Sequence, residues 1–460
     1  MQSKKYVLPV LRITKTCDFD EPSSSKVNFR QLNSQIFYFH RPIDHPSANL
    51  NFFPAVLQAD GSPWQLANLY LIERTLNSLN LSTITLSSIS KDLVSFKRFV
   101  EQNEIDFLDF PKLIFDRPTY RYRKYLLDCI FENILSKNTA RRKIQTVVNF
   151  YRWLVESKKV FLENEPWIDG EAYITYSSRD GFSNYKTVKT TNLSIRISAS
   201  KDPHADYIED GGRLKPLSTD DQVHILKALQ EIGNTKHALI HYIALFTGAR
   251  LQTVLTLRYE NFSSAIDENE HEVRIPVGFG THVDTKFDKQ MVLHFPAWLY
   301  RKIRIFINSP LFFKVQRAKD AERYIFTTSA GAPYYYSKQD LKKFNGNQTS
   351  SQLKTGGAIQ SFISSKIIPH IQLSTQKKFH YRFHYLRATF GMNITESCLK
   401  QVEKKVIGLH QAREYVRVRM GHSSSATTDL YLSHTGKGKF LASVQQDYES
   451  FIESLIGSLK

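Results

Sequence analysis

Five side chains in the C-terminal half combine the residue types needed to open and reseal a phosphodiester. Arg250 lies in FTGARLQTVLTLRYENF, His384 and Arg387 in FHYLRATFG, His422 after Gly421 in MGHSSSATTDLYL, and Tyr431 nine residues beyond His422. A phosphoryl transition state gathers negative charge on its non-bridging oxygens, and two guanidinium groups suit the task of gripping them. A Tyr phenol, with an ordinary pKa of about 10, forms a covalent phosphoester once its proton has somewhere to go. The departing 5′ oxygen needs an acid, which Lys or His supplies. Singly, each residue is ordinary. H-x-x-R recurs at His410–Arg413, and the chain holds 23 tyrosines. The second H-x-x-R lacks the surrounding context of the first, and Tyr385 and Tyr415 read as packing or backbone-contact residues. The weight rests on the combination and its order.

Local patterns suggest how these residues are positioned. Ser218-Thr219-Asp220-Asp221 resembles a capping box, with Val223, Leu226 and Leu229 at helical spacing behind it. The spacing predicts a helix over 238–247 that Gly248 ends, placing Arg250 just past its close. Alternating apolar residues in HEVRIPV (271–277) and QMVLHFP (290–296) predict two strands joined by a hairpin that carries Lys286 and Lys289. Helices are expected to dominate after about Tyr335. In the tail, Phe440, Leu441, Val444, Tyr448, Phe451, Ile452 and Leu455 keep helical spacing and suit docking either on a neighbouring subunit or on the chain's own domain.

Together these segments resemble the catalytic signatures of the tyrosine recombinases, the phage-integrase family. The resemblance implies that Arg250 and Arg387 clamp the scissile phosphate, His384 assists proton transfer at the nucleophile, His422 hydrogen-bonds the phosphate, and Tyr431 is the nucleophile. DTKFDKQMVLHFP is similar to the family's β-hairpin stretch and puts its lysine, the general acid, at Lys286, with Lys289 as a rival. YIFTTSAGAPYY is similar to the strand-turn ahead of the H-x-x-R helix. The position three residues after the first Arg, often acidic in the family, is Thr253 here, so a supporting carboxylate is missing. The resemblance covers roughly 64–160 and 213–435. It implies a mainly α fold with a small antiparallel β-sheet (α+β), in which a helical core-binding domain and a catalytic domain close around duplex DNA. It also implies a site-specific recombinase working through a 3′-phosphotyrosine and a Holliday junction without metal, ATP or other cofactor. Such an enzyme, serving a mobile element, would act as a homo-tetramer on paired DNA sites, with DNA-bending or directionality proteins as accessory partners. A type IB topoisomerase and a non-catalytic architectural DNA-binding protein are the competing readings.

The whole chain agrees with a polyanionic partner: 62 Lys and Arg against 44 Asp and Glu leave a net charge of +18. Between Arg117 and Lys159, eleven basic residues face three acidic ones, interleaved with Tyr120, Tyr122, Tyr125 and Tyr151. Arg121, Arg123, Lys124, Lys137, Arg141, Arg142 and Lys143 are therefore candidate phosphate contacts. In this region Ser90 is expected to cap one helix, and Ser136 or Asn138 a second. The domains are expected as an N-terminal accessory arm or edge-strand wrapping (1–62), a core-binding domain (63–160), a linker (161–212) with one short strand at Leu193, Ile195 and Ile197, and a catalytic domain with its tail helix (213–460). Cys17, Cys129 and Cys398 have neither metal-ligand spacing nor a disulfide framework, which favours a reducing compartment. With no signal-like or membrane-spanning run, the chain reads as cytoplasmic and DNA-associated.

Overall fold

The computed structural model describes residues 2–12, 27–32, 35–40, 49–78, 81–157, 160–177, 183–196, 206–315, 323–344 and 353–458. Cys17, Ile197 and the side chains of Phe440, Leu441 and Val444 lie outside what is described. The chain divides into two compact units, residues 1–201 with 342–353, and 202–341 with 354–460. Helices predominate in the described residues, and the sheets are two-stranded and antiparallel, so the expected fold class holds.

In the first unit, β1 (Lys4–Arg12) pairs antiparallel with β4 (Asn49–Leu57), and β2 (Val27–Leu32) with β3 (Gln35–His40). Four helices follow: α1 (Gln65–Leu76), α2 (Thr83–Gln102), α3 (Pro118–Phe131) and α4 (Lys137–Glu156). β4 packs on α2, so Phe53 and Val56 share one core with Trp64, Leu93, Phe96, Phe150 and Tyr151. Residues 1–62 thus contribute strands to the helical core. Ser136 caps α4, its Oγ accepting from the Thr139 amide at 3.2 Å. The cap expected at Ser90 is corrected: Ser82 caps α2 two turns earlier, accepting from the Thr85 amide at 3.1 Å, and Ser90 is buried mid-helix.

Residues 161–201 also belong to this unit. They carry a hairpin of β5 (Asp169–Ser177) and β6 (Ser183–Thr191), where a linker with one later strand was expected. Leu193 and Ile195 follow β6 in an irregular stretch and are buried in the helical core. Their alternation reflects burial of a turn, not pairing in a sheet.

The second unit opens with a small hairpin, β7 (Ile208–Glu209) and β8 (Arg213–Leu214), then α5 (Thr219–Ile232), α6 (Thr235–Thr247) and α7 (Leu251–Thr256). Ser218 caps α5 by accepting from the Asp221 amide at 3.1 Å, and Gly248 ends α6 in the left-handed conformation, both as expected. β9 (Glu272–Val277) and β10 (Met291–Pro296) form the anticipated antiparallel pair, with Ile275, Val277, Leu293 and Phe295 turned into the core. After them come α8 (Ala297–Ile307), α9 (Pro310–Val315), α10 (Lys338–Lys343), α11 (Gly357–Phe362), α12 (Ile368–Thr375), α13 (Tyr385–Glu403), α14 (Leu409–Met420) and α15 (Ser425–Ser458). One core gathers α5, α6, α8 and the β9–β10 pair. A second gathers α13, α14 and the start of α15 with Ile208 and Leu214 of the β7–β8 hairpin. α13, which itself carries Arg387, packs against α6, α14 and α15, the last of which carries Tyr431.

Candidate active site

Four of the six candidate catalytic side chains meet at one point, and an unanticipated residue marks it. Arg250 stands at the start of α7, Arg387 in the first turn of α13, His422 just past the Gly421 that ends α14, and Tyr431 early in α15. All four reach the carboxylate of Asp210, in the turn between β7 and β8. Arg387 Nε donates to Asp210 Oδ2 at 2.9 Å and Tyr431 Oη donates to the same oxygen at 3.2 Å. His422 Nε2 lies 3.3 Å from Oδ2, and Arg250 Nη2 donates to Oδ1 at 3.3 Å.

The helices hold these groups tightly. Arg387 is 1% exposed, and its other nitrogens donate to the Gly248 and Met420 carbonyls, each at 2.7 Å. The guanidinium thereby ties the end of α6 to the end of α14. His422 Nδ1 is 3.0 Å from Thr428 Oγ1, which leaves Nε2 to face the site. Tyr431 is fully buried, its ring lying against α13 at Gly391, where a Cβ would sit 2.4 Å from Tyr431 Cε1. Any side chain there would displace the phenol.

Lys286 and Lys289 border the same place. With Arg250 and Arg387 they line a residual pocket of about 20 Å³, room for little more than a water. Lys289 Nζ donates to the Gly421 carbonyl at 2.8 Å and to Ser423 Oγ at 3.2 Å, so it braces the loop that carries His422. Lys286 Nζ lies beside Gly211, 2.9 Å from where a Cβ would stand. His384 immediately precedes α13, within electrostatic reach of Arg387, Arg250, Asp210 and Lys286.

The crowding of charge sets the protonation states. Burial alone would raise the Asp210 carboxyl, but the His422 hydrogen bond and the charges of Arg387, His422 and Arg250 together hold it well below the usual carboxylate range. Burial pushes the Tyr431 phenol far up, Asp210 adds to the rise, and the arginines oppose it. Burial and then the charge of Arg387 bring Arg250 down to about 10. His384 falls to about 4 through burial and then the charges of Arg387 and Arg250, which favours a neutral imidazole at pH 7. His422 is lowered by burial against the opposing pull of Asp210. The arrangement is an oxyanion seat with a protonated phenol at its edge and a neutral imidazole and two lysines beside it.

Asp210 is not legible as a site residue in the sequence, because it lies in a stretch rich in Asp, Glu, Ser and Thr that has the composition of a linker. The Asp-Gly-Gly turn signal at 210–212 is the one local hint.

The candidate phosphate contacts of the first unit divide. Arg121, Lys124, Lys137 and Arg141 are exposed on α3 and α4. Arg123 Nε donates to the Leu193 carbonyl at 3.2 Å, and Lys143 Nζ to Ser95 Oγ at 2.6 Å. Arg142 pairs with the buried Asp92 and donates to Ser88 Oγ at 2.6 Å. These three are committed at least in part to the fold. Tyr122 and Tyr151 are core residues, not stacking platforms.

Among the described residues, no cluster of His, Cys, Asp and Glu suits a metal ion, and no helix is long and apolar enough to cross a membrane.

No protein-family model matches the chain. Among known proteins it is 31% identical over 140 residues to sensor histidine kinase WalK of Bacillus subtilis, a match spanning 28% of this chain and 23% of that protein. Solved structures similar to it include the Tn1549 transposon integrase in complex with transposon right end DNA (TM-score 0.46, 13% identity, 82% of this chain and 98% of that one). A second is XerH site-specific recombinase bound to its palindromic difH substrate (0.45, 12% identity, 82% and 88%). A third is a lambda integrase dimer bound to a COC′ core site (0.44, 13% identity, 81% and 77%). These three solved structures are thus of two integrases and a site-specific recombinase.

Proposed function

We propose that this chain is a site-specific DNA recombinase that cuts and rejoins strands through Tyr431. One observation supports this above the rest: two arginines, a histidine and a phenol converge on the two oxygens of a single carboxylate. That donor set matches the non-bridging oxygens of a phosphodiester, with a nucleophile in contact. In this reading Arg250 and Arg387 hold the phosphate, and His422 donates to it. Tyr431 Oη attacks phosphorus as its proton passes to His384. The Tyr431 O–P bond forms, the P–O5′ bond breaks, and Lys286 protonates the departing 5′ oxygen. A partner strand's 5′ hydroxyl reverses the step, and two rounds pass through a Holliday junction. The 3′-phosphotyrosine conserves the energy of the broken bond. The same reading takes duplex DNA as partner, with Arg121, Lys124, Lys137 and Arg141 as its first phosphate contacts. It also takes a homo-tetramer on paired sites, a mobile element as the setting, and accessory DNA-bending or directionality proteins.

The test is covalent trapping on a pool of nicked duplexes of randomised sequence, comparing the natural chain with Tyr431→Phe. A denaturation-resistant adduct lost in the variant is expected. An adduct that survives the substitution moves the nucleophile elsewhere. Tight DNA binding without an adduct on any duplex leaves a DNA-binding protein without strand chemistry.

A further inference from the structure

We infer that Asp210 is a built-in stand-in for the phosphodiester: the β7–β8 turn carries its carboxylate into the phosphate seat, closes the site of the free protein, and must withdraw before DNA is engaged. The inference rests on the reading of the site as a phosphate seat. Its first support is the identity of the ligands. Arg250, Arg387, His422 and Tyr431, the groups assigned to the phosphate and its attack, are those that Asp210 occupies. A carboxylate and a phosphodiester carry the same sign of charge and present the same pair of oxygens. Two anions in one water-poor site repel strongly, so the donors serve one or the other.

Space gives the second support. The Asp210 side chain is 6% exposed, and the pocket left between the arginines and lysines, about 20 Å³, has room for little more than a water. The same turn also places Gly211 against Lys286 Nζ, so nucleophile, clamp and acid are all covered by one short segment. The third support is how lightly the segment is held. Its hairpin is two residues to a strand, pairing Ile208 with Leu214 and Glu209 with Arg213, with one further backbone bond from the Asp210 amide to the Gly212 carbonyl at 3.1 Å. Gly211 and Gly212 follow Asp210 with φ of 70° and 155°, torsions that let the turn re-form with its carboxylate elsewhere. Ile208 and Leu214 anchor it, and the anion itself does much of the holding. A phosphate that displaces the anion removes that hold. Asp210 also adds to the rise in the Tyr431 pKa, so the closed site keeps the phenol protonated.

The alternative is a carboxylate that stays to orient the two arginines during the reaction. Asp210→Asn in the full chain separates them. A closed seat lowers apparent affinity by the fraction of molecules that are open, so the variant is expected to bind duplex DNA about tenfold tighter. It is also expected to gain melting temperature in sodium sulfate that the natural chain does not gain, and to form the Tyr431 adduct faster. A positioning carboxylate predicts the reverse: weaker binding, no sulfate response and a slower adduct. Amide exchange on the natural chain covers the case of a poorly folded variant. Residues 206–214 exchange faster with DNA bound if the turn withdraws, and slower if it stays, which overturns the inference. Adduct formation reports on the strand-transfer reading, while sulfate binding and amide exchange report on the turn. A failure of one is therefore distinguishable from a failure of the other.

Discussion

Lys289 spends its ammonium on the protein itself, between the Gly421 carbonyl and Ser423 Oγ, and this bears on which lysine serves as the acid. Burial and the charges of Arg417, Arg250 and Arg387 lower its pKa, which suits a proton donor, but its hydrogens are already directed to the loop before α15. Lys286 has its ammonium beside Gly211, and in the proposed reaction it is the lysine that departure of this turn uncovers. The two lysines are separable by leaving-group chemistry. A 5′ sulfur departs without an acid, because thiols ionise near a pKa of about 8.5. Lys286→Ala is expected to slow cleavage of an ordinary strand by about 10²–10⁴-fold and to recover on a strand with a bridging 5′ sulfur. Recovery seen with Lys289→Ala instead would transfer the role.

At the scale of elements, α13 organises the site. Its first turn carries Arg387, which bonds the ends of α6 and α14, and one turn later Gly391 gives Tyr431 its place. The helix needs Gly391 for closeness, since its backbone is helical and its neighbour is the Tyr431 ring. Gly391→Ala has better intrinsic helix propensity by about 1 kcal/mol. The clash at 2.4 Å nevertheless outweighs that gain. A net destabilisation of about 1–3 kcal/mol is expected from overpacking, with the phenol displaced and adduct formation lost. Thermal melting and covalent trapping measure the two effects. An unchanged melting temperature with full adduct yield would mean that α15 shifts freely, and that the packing of α13 does not set the nucleophile.

Across the second unit, burial of neutral histidines links stability to pH. His237, His241 and His384 fall from 6.5 to about 4, each chiefly through burial. His241 is fully enclosed, with Nδ1 2.6 Å from the His237 carbonyl and Nε2 3.0 Å from Tyr381 Oη. Between those values the unfolded chain takes up protons that the folded chain refuses. The stability is therefore whole above about pH 6.5 and is lost as pH falls toward about 4. Each tenfold weakening of a histidine's hold on its proton corresponds to about 1.4 kcal/mol. Asp210, held below the ordinary carboxylate value, adds a loss only at still lower pH. The melting temperature is expected to be level from about pH 8 to 7 and to drop steeply between about 6.5 and 4. A level profile down to about pH 4 would show that these rings stay accessible to protons.

Local sequence determined much of this protein. Ser136, Ser218 and Gly248 mark helix ends because capping is satisfied within a few residues of chain, and the β9–β10 pair follows from alternation that sorts side chains into the core. The order of Arg250, His384, Arg387, His422 and Tyr431 was legible for the same reason, since each sits in a local motif at a helix end. What the sequence could not show is which groups meet across long separations. Asp210 joins Arg387, His422 and Tyr431 from the far end of the unit, through contacts that no local pattern encodes. Arg142 looks like a free basic side chain in the sequence, yet Asp92 is buried against it. The β5–β6 hairpin hides in a polar stretch because its strands carry little apolar alternation. Charge pairing and enclosure are decided by the three-dimensional surroundings. Only the tertiary structure could therefore show that Arg250, Arg387, His422 and Tyr431 gather on one carboxylate of the chain's own.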